Sequence, residues 1–215
     1  MRILYTGKTL WWGIAALSLI FISGALLGRY TATLPLMGPL AREMPIFYFK
    51  TTEPKVCLTF DISWGSKTLP MVLDILKENQ APATFFLSGP WAVRHPEEAK
   101  AIFESGHEIA SHGDRHIDLS EYPKAVIVDN ISKSSNDLCS LFEKVAPYFR
   151  PPNGDYNDQV IKVARELGFE TIIWSVDSLD WKNPGAGFMV KRVLDKVFPG
   201  AVILCHASDS SKQIH

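Results

Sequence analysis

Basic residues are not in excess in this chain: 22 lysines and arginines stand against 23 aspartates and glutamates, for a formal charge of −1. No basic stripe is available to neutralise phosphates, so a nucleic-acid partner is excluded and an uncharged or mixed-charge substrate fits better. Cysteine is scarce as well. Three cysteines leave at least one unpaired, and their settings predict free thiols: Cys57 in a strand pattern, Cys139 on an apolar helix face, Cys205 in a late strand. Cys205 and His206 are poorly placed to form a nucleophile–base pair, because adjacent strand residues point to opposite faces.

Charge is absent from residues 10–28, LWWGIAALSLIFISGALLG. At about 1.5 Å per residue this run is just long enough to cross a hydrocarbon core about 30 Å thick. It has no polar face, which argues against a buried core helix. It exceeds the apolar region of a signal peptide and no A-x-A cleavage site follows, so an uncleaved anchor is expected. Arg2 and Lys8 precede it and only Arg29 follows closely, which puts the N-terminus in the cytoplasm and the remainder outside. The expected organisation is a cytoplasmic tip and membrane anchor at 1–29, a linker at 30–53 with three prolines, and one domain at 54–215.

With 47% hydrophobic residues the chain has enough apolar material for one sizeable core. From residue 55 short β-branched or aromatic runs alternate with helical periods. Strands are predicted at 55–60, 83–88, 107–111, 147–152, 170–176 and 201–206. Helices are predicted at 68–80, 97–106, 124–145, 159–168 and 188–197. Six βα repeats require a parallel sheet with right-handed crossovers. A (β/α) barrel is expected rather than a doubly wound open sheet, because every chemistry-bearing cluster follows a strand, as at the loop-bearing mouth of a barrel.

Those clusters are TFDISWG (59–65), HGDRH (112–116), RPPNGDYN (150–157), DSLDW (177–181) and LCH (204–206). His112 and His116, four apart, fall on one face of a helical turn and reach a common metal ion. Asp61 ends a strand as a metal ligand or as the base that deprotonates water. Arg150, fixed by two prolines, suits bidentate binding of a carboxylate. Asp177 or Asp180 orients a histidine, Trp181 walls a sugar groove, and His206 protonates a leaving atom with Leu204 on the same side. Each residue alone has an ordinary structural use, as a turn, a cap or a surface group. Five such clusters in one order outweigh those ordinary uses.

In that order TFDISWG, SHGDRH, RPPNG, DSLDW and LCH resemble the five motifs of the polysaccharide deacetylase family, the NodB-homology carbohydrate esterases. With the N-terminal anchor they are similar to its sporulation-associated branch. The resemblance implies a distorted (β/α) barrel and a metal-dependent hydrolase that removes acetyl groups from amino sugars of peptidoglycan or a chitin-like polymer. By position it makes Asp61 the base, His112 and His116 the metal ligands, Arg150 the residue that orients the base, Asp180 the partner of the acid and His206 the acid. Trp181 and Leu204 become the groove wall and the acetyl-methyl pocket, and Asn153 supplies a backbone donor to the oxyanion. The implied metal is zinc, with cobalt or nickel as alternatives.

Two departures stand out. The family pattern TFDD reads TFDI here, so Ile62 replaces the third metal ligand, leaving Asp61, Ser63 or Asp114 to substitute. The chain also ends at His215, where the family pattern continues with a helix and strand, so an incomplete barrel is expected. A membrane-anchored extracytoplasmic deacetylase of the cell wall or spore envelope is therefore the leading expectation. A glycan-binding envelope protein with little or no turnover is its rival. Glycoside hydrolysis by Asp61 and Asp180 leaves the histidines without a role.

Overall fold

The computed structural model describes residues 43–209. The expected anchor and the first part of the expected linker lie outside the described residues. Among the described residues no helix is long and apolar enough to cross a membrane.

The centre of the fold is β1 (Cys57–Ile62), paired with β2 (Thr84–Leu87) on one side and β7 (Val202–His206) on the other. Beyond β2 lie β3 (Glu108–Ser111), β4 (Tyr148–Phe149) and β5 (Glu170–Thr171), and beyond β7 lies β6 (Val176–Asp177). All six ladders are parallel. The crossovers carry helices α1 (Leu69–Glu78), α2 (Gly89–Arg94), α3 (Pro96–Glu104), α4 (Lys124–Leu141), α5 (Asp158–Glu166) and α6 (Ala186–Leu194). This is a curled, barrel-like parallel sheet with helical crossovers, as the alternation predicts.

Strand alternation separates two apolar layers. Ile62, Phe85, Leu87 and Ile109 belong to a cluster with Leu69, Leu76, Trp91, Ile102 and Leu138 of the helices. Phe86, Ala110, Ile172 and Val202 form a second cluster, with Trp174 packed against it. Asp61 lies level with Phe86 and Ala110 across the ladders, so its side chain shares their face and not that of Ile62.

The predicted strand 170–176 is two strands, β5 and β6, at opposite edges of the sheet. The carbonyls of Ile172 and Ile173, which a continuous ladder would use, instead accept hydrogen bonds from the buried Arg150 side chain. The seam between the edges is crossed by residues that the sequence assigns to the linker. Ile46 bridges Ile172 in parallel, Tyr48 bridges Ala201 in antiparallel fashion, and Phe49 donates its N–H to Gly200 at 2.9 Å. Gly200 is at φ +87, and a Cβ there would collide with the Phe49 carbonyl.

All three cysteines are free. Cys139 departs from the core setting expected of it: it faces solvent on α4.

Candidate active site

The carboxyl ends of β1, β3, β4, β6 and β7 surround a cavity of about 370 Å³. Asp61 and Trp64 reach it from β1, His112 and His116 from β3, and Asn153 from the turn after β4. Asp177 and Trp181 come from β6, Leu204 and His206 from β7, and Trp174 from the segment between β5 and β6. Strand ends deliver these residues because β1, β2, β3 and β7 run in one direction and in register, so their last residues sit at one level.

Arg150 lies beneath the cavity floor, wholly buried. Its Nη1 donates to Asp61 Oδ1 at 2.7 Å and to Thr59 Oγ1 at 2.9 Å. Its Nε and Nη2 donate to the carbonyls of Ile172 and Ile173, and the guanidinium stacks 4.0 Å from the Phe86 ring centre. The expected bidentate grip on a carboxylate is therefore a single bond, because the other bonds of the guanidinium go to Thr59 Oγ1 and to the carbonyls of Ile172 and Ile173. Burial works to raise the Asp61 carboxyl, yet the charge of Arg150, with His112 and His206, outweighs it and holds the group below the usual range.

The HGDRH segment is not a helical turn. Residues 112–116 form a loop, with Gly113 at φ +81, where a Cβ would collide with Asn130 Oδ1. The wholly buried Asn130 accepts from the Asp114 N–H at 3.0 Å and donates to the Arg115 carbonyl at 3.0 Å, shaping the loop from α4. This tertiary brace, with no sequence signal beyond an Asn in a helix, brings the two rings within 5.5 Å, centroid to centroid. His112 Nδ1 bonds the Arg150 carbonyl at 2.8 Å, so Nδ1 carries the proton and Nε2 faces Asp61 Oδ2 at 3.7 Å. Burial pushes the His112 pKa down to about 4 and lowers that of His116. Trp64 packs edge-on to His116 at 5.2 Å.

His206 and Asp180 meet twice. His206 Nδ1 lies 2.8 Å from Asp180 Oδ1, and the His206 backbone N–H donates to Asp180 Oδ2 at 2.6 Å. Burial works to lower the His206 pKa, but the bond to Asp180 and the charge of Asp61 outweigh it, and the net shift is upward. Nε2 is the nitrogen left for a ligand. Cys205 beside it has its thiol pushed up to about 12, chiefly by burial, which removes it as a nucleophile at neutral pH.

Asn153 has the left-handed backbone at φ 58 and anchors its side chain on Asp118 at 2.7 Å. Leu204 is buried as the apolar floor and Trp181 is half exposed at the rim. Trp64 and Trp174 also wall the cavity and went unrecognised in the sequence, where a tryptophan in a strand or after it reads as ordinary core. Asp209 is a further addition. Its Oδ1 accepts the N–H groups of Lys67 and Thr68 at 2.9 and 3.2 Å, and its carbonyl takes the Trp64 indole N–H at 3.1 Å. It thus pins the loop that carries Trp64.

A metal ion of the kind the motifs imply needs three protein donors beside its water. Ile62 is completely buried in an apolar cluster and offers none. Asp61 is fastened to Arg150. Asp114 and Ser63 are not among the cavity's lining residues, although Ser63 Oγ is a buried hydroxyl with no hydrogen-bond partner. Among the described residues no group of three or more His, Cys, Asp or Glu side chains is arranged to hold a metal ion. The donor set of His112 and His116 does not fit a zinc site.

Comparison with known proteins gives a consistent result. Residues 49–172 match the family model described as polysaccharide deacetylase. The uncharacterized protein YlxY of Bacillus subtilis is 33% identical over 169 residues, covering 79% of this chain and 53% of its own. The peptidoglycan-N-acetylmuramic acid deacetylase PdaA of the same organism is 30% identical over 175 residues, covering 79% and 66%. A crystal structure described as a CE4 family pseudoenzyme from Bacillus anthracis superposes with a TM-score of 0.75 at 32% identity, covering 79% and 60%. A mutant of it is described as having restored enzymatic activity. The chain thus spans roughly half to two thirds of the length of these relatives.

Proposed function

This chain belongs to the polysaccharide deacetylase family, and from that membership and the cavity's geometry we propose that it hydrolyses N-acetyl groups on amino-sugar glycan of the peptidoglycan or chitooligosaccharide type. The observation that carries the reading is that two separately supported acid–base groups open onto one cavity. Asp61, kept ionised by Arg150, takes a proton from water. His206, held by Asp180, gives a proton to the departing nitrogen. Leu204 offers an apolar seat for the acetyl methyl, Asn153 stands where a backbone donor can meet the developing oxyanion, and three tryptophans wall the sugar. The donor set lacks a third metal ligand, so the proton transfers rest on Asp61 and His206. Acetate release from N-acetylchitotetraose and from peptidoglycan, compared with Asp61→Asn, tests the proposal. Release no faster than that of the variant on every substrate overturns it.

A second reading has its own support. Ile62 occupies the place of a donor, and the similar pseudoenzyme fold shows that a family member can lack turnover. The chain then binds glycan without cleaving it. Retained glycan binding with no acetate release selects this reading.

The uncharged run at 10–28, with its preceding basic residues, supports the further proposal of a single-pass anchor with the domain outside the cytoplasm, in the cell or spore envelope. Recovery of full-length protein in the soluble fraction would overturn it.

A further inference from the structure

The cavity does not stand alone. A second cavity of about 220 Å³ adjoins it, sharing Trp64, Trp181 and His206, and extends along the loop held by Asp209. Together they form a groove longer than the reacting site. Among the described residues four carboxylates line it, Asp61, Asp177, Asp180 and Asp209, and no lysine or arginine does.

The four are not equivalent. Asp61 is neutralised from below by Arg150, and Asp180 faces His206. Among the described residues Asp177 and Asp209 have no such counter-charge. Asp177 Oδ1 accepts the Leu179 N–H at 2.7 Å, and Asp209 Oδ1 accepts the backbone N–H groups of Lys67 and Thr68. These are dipoles, and they leave the charge in place. Two neighbouring cations are engaged elsewhere. Arg192 Nε donates to the Asp177 carbonyl at 2.8 Å, and Lys182 Nζ lies 4.7 Å from the Trp181 ring centre. Neither makes an ion pair with a groove carboxylate among the described residues.

Resting on the reading of this groove as an amino-sugar site, we propose that it selects glycan by charge. It accepts neutral N-acetylhexosamine chains and partly deacetylated chains bearing ammonium groups. It discriminates against chains carrying free carboxylates, such as the lactyl ether of muramic acid or a uronic acid. The physical basis is that a ligand carboxylate would lose water in a groove that offers it no lysine or arginine and two unneutralised like charges, while the His206 imidazole is already paired with Asp180. A like charge at about 4 Å in a water-like medium costs on the order of fivefold in affinity, and two cost more, with the effect shrinking as salt is added. An ammonium on the ligand gains by the same field.

The experiment is a calorimetric comparison, on the full-length chain at low and high salt, of four tetrasaccharides. These are fully N-acetylated chitotetraose, its partly deacetylated form, an alternating chain with free lactyl carboxylates, and the same chain with those groups amidated. The expected order is partly deacetylated at least as tight as neutral, amidated close to neutral, and free acid about tenfold weaker at low salt with the gap closing at high salt. Free acid binding as tightly as chitotetraose overturns the selectivity alone. Amidated chain binding as weakly as the acid also overturns it, since bulk and not charge would then be responsible. Binding of none of the four overturns the glycan reading and the selectivity with it. Asp177→Asn keeps the acceptor for Leu179 and is expected to narrow the gap severalfold. An unchanged gap in that variant counts against the proposal.

Discussion

Arg150 reaches Asp61 through one hydrogen bond of 2.7 Å, while its remaining donors are committed to Thr59 and to the carbonyls of Ile172 and Ile173. One buried side chain thus sets the charge of the proposed base and also replaces the ladder hydrogen bonds missing between β5 and β6. Chemistry and fold closure depend on the same guanidinium.

Arg150→Met is therefore expected to cost more than loss of a surface arginine. It strands the Asp61 carboxylate and two carbonyls, and removal of one partner from a buried pair typically costs about 3–5 kcal/mol. Asp61→Asn in the same background is expected to recover part of that loss, measured by denaturant unfolding. Equal stability of Arg150→Met and the parent would contradict the arrangement.

The depressed Asp61 pKa has a definite pH signature. Its contribution to stability is present above the unfolded-state value of about 3.9 and is lost as pH falls through the lower folded value. The unfolding free energies of the parent and Asp61→Asn should thus differ by a constant amount near neutrality and converge only in strong acid.

His206 behaves with the opposite sign. Its folded pKa is raised, so the stability it contributes is fully present below about 6.5 and is lost as pH rises through the folded value. Activity that needs His206 protonated falls over the same range. Asp180→Asn, which keeps an oxygen beside Nδ1 but removes the charge, is expected to move the alkaline limb of the rate profile to lower pH. Histidine titration followed by NMR provides the check without turnover.

Ile62 lies level with Leu87 and Ser111 across the sheet, one residue from His112. Ile62→Asp is expected to destabilise the protein by several kcal/mol without metal, since it buries an unpaired carboxylate in an apolar cluster. Zinc is expected to raise the unfolding temperature of this variant and to leave the parent unchanged. A parent that binds one equivalent of zinc tightly would refute the two-histidine donor set as described.

Gly113→Ala tests the brace on the histidine loop. A Cβ at φ +81 is strained and collides with Asn130, so a loss of about 1–3 kcal/mol is expected. Asn130→Ala should loosen the same loop, seen as increased hydrogen exchange at Asp114, with little change in α1.

Much of this arrangement was legible in the sequence because it is local. Alternating apolar runs located the strands, and the polar residue at each strand end pointed to the mouth where parallel strands finish. Asp61, His112, His116, Asn153, Trp181, Leu204 and His206 do line one cavity. What was misread depends on distant partners. HGDRH has helical spacing but is a loop, because Asn130 on α4 supplies the bonds a helix would make internally. The apolar run 170–176 looks like one strand but splits, because a buried arginine takes its carbonyls. Cys139 follows an apolar pattern yet faces solvent, since the packing of α4 and not the pattern alone fixes which stripe is covered.

The sequence by itself determined the alternation of strands and helices, the parallel sheet, the family and the residues that gather at the mouth, since periodicity and motif order survive without knowledge of contacts. Only the tertiary structure decided how those residues are charged and what they can hold. It buried Arg150 under Asp61, joined His206 to Asp180 and placed Ile62 in an apolar cluster of the core. It also left Asp177 and Asp209 without ion-pair partners among the described residues. Electrostatics and coordination depend on distances between residues far apart in the chain, and folding sets those distances.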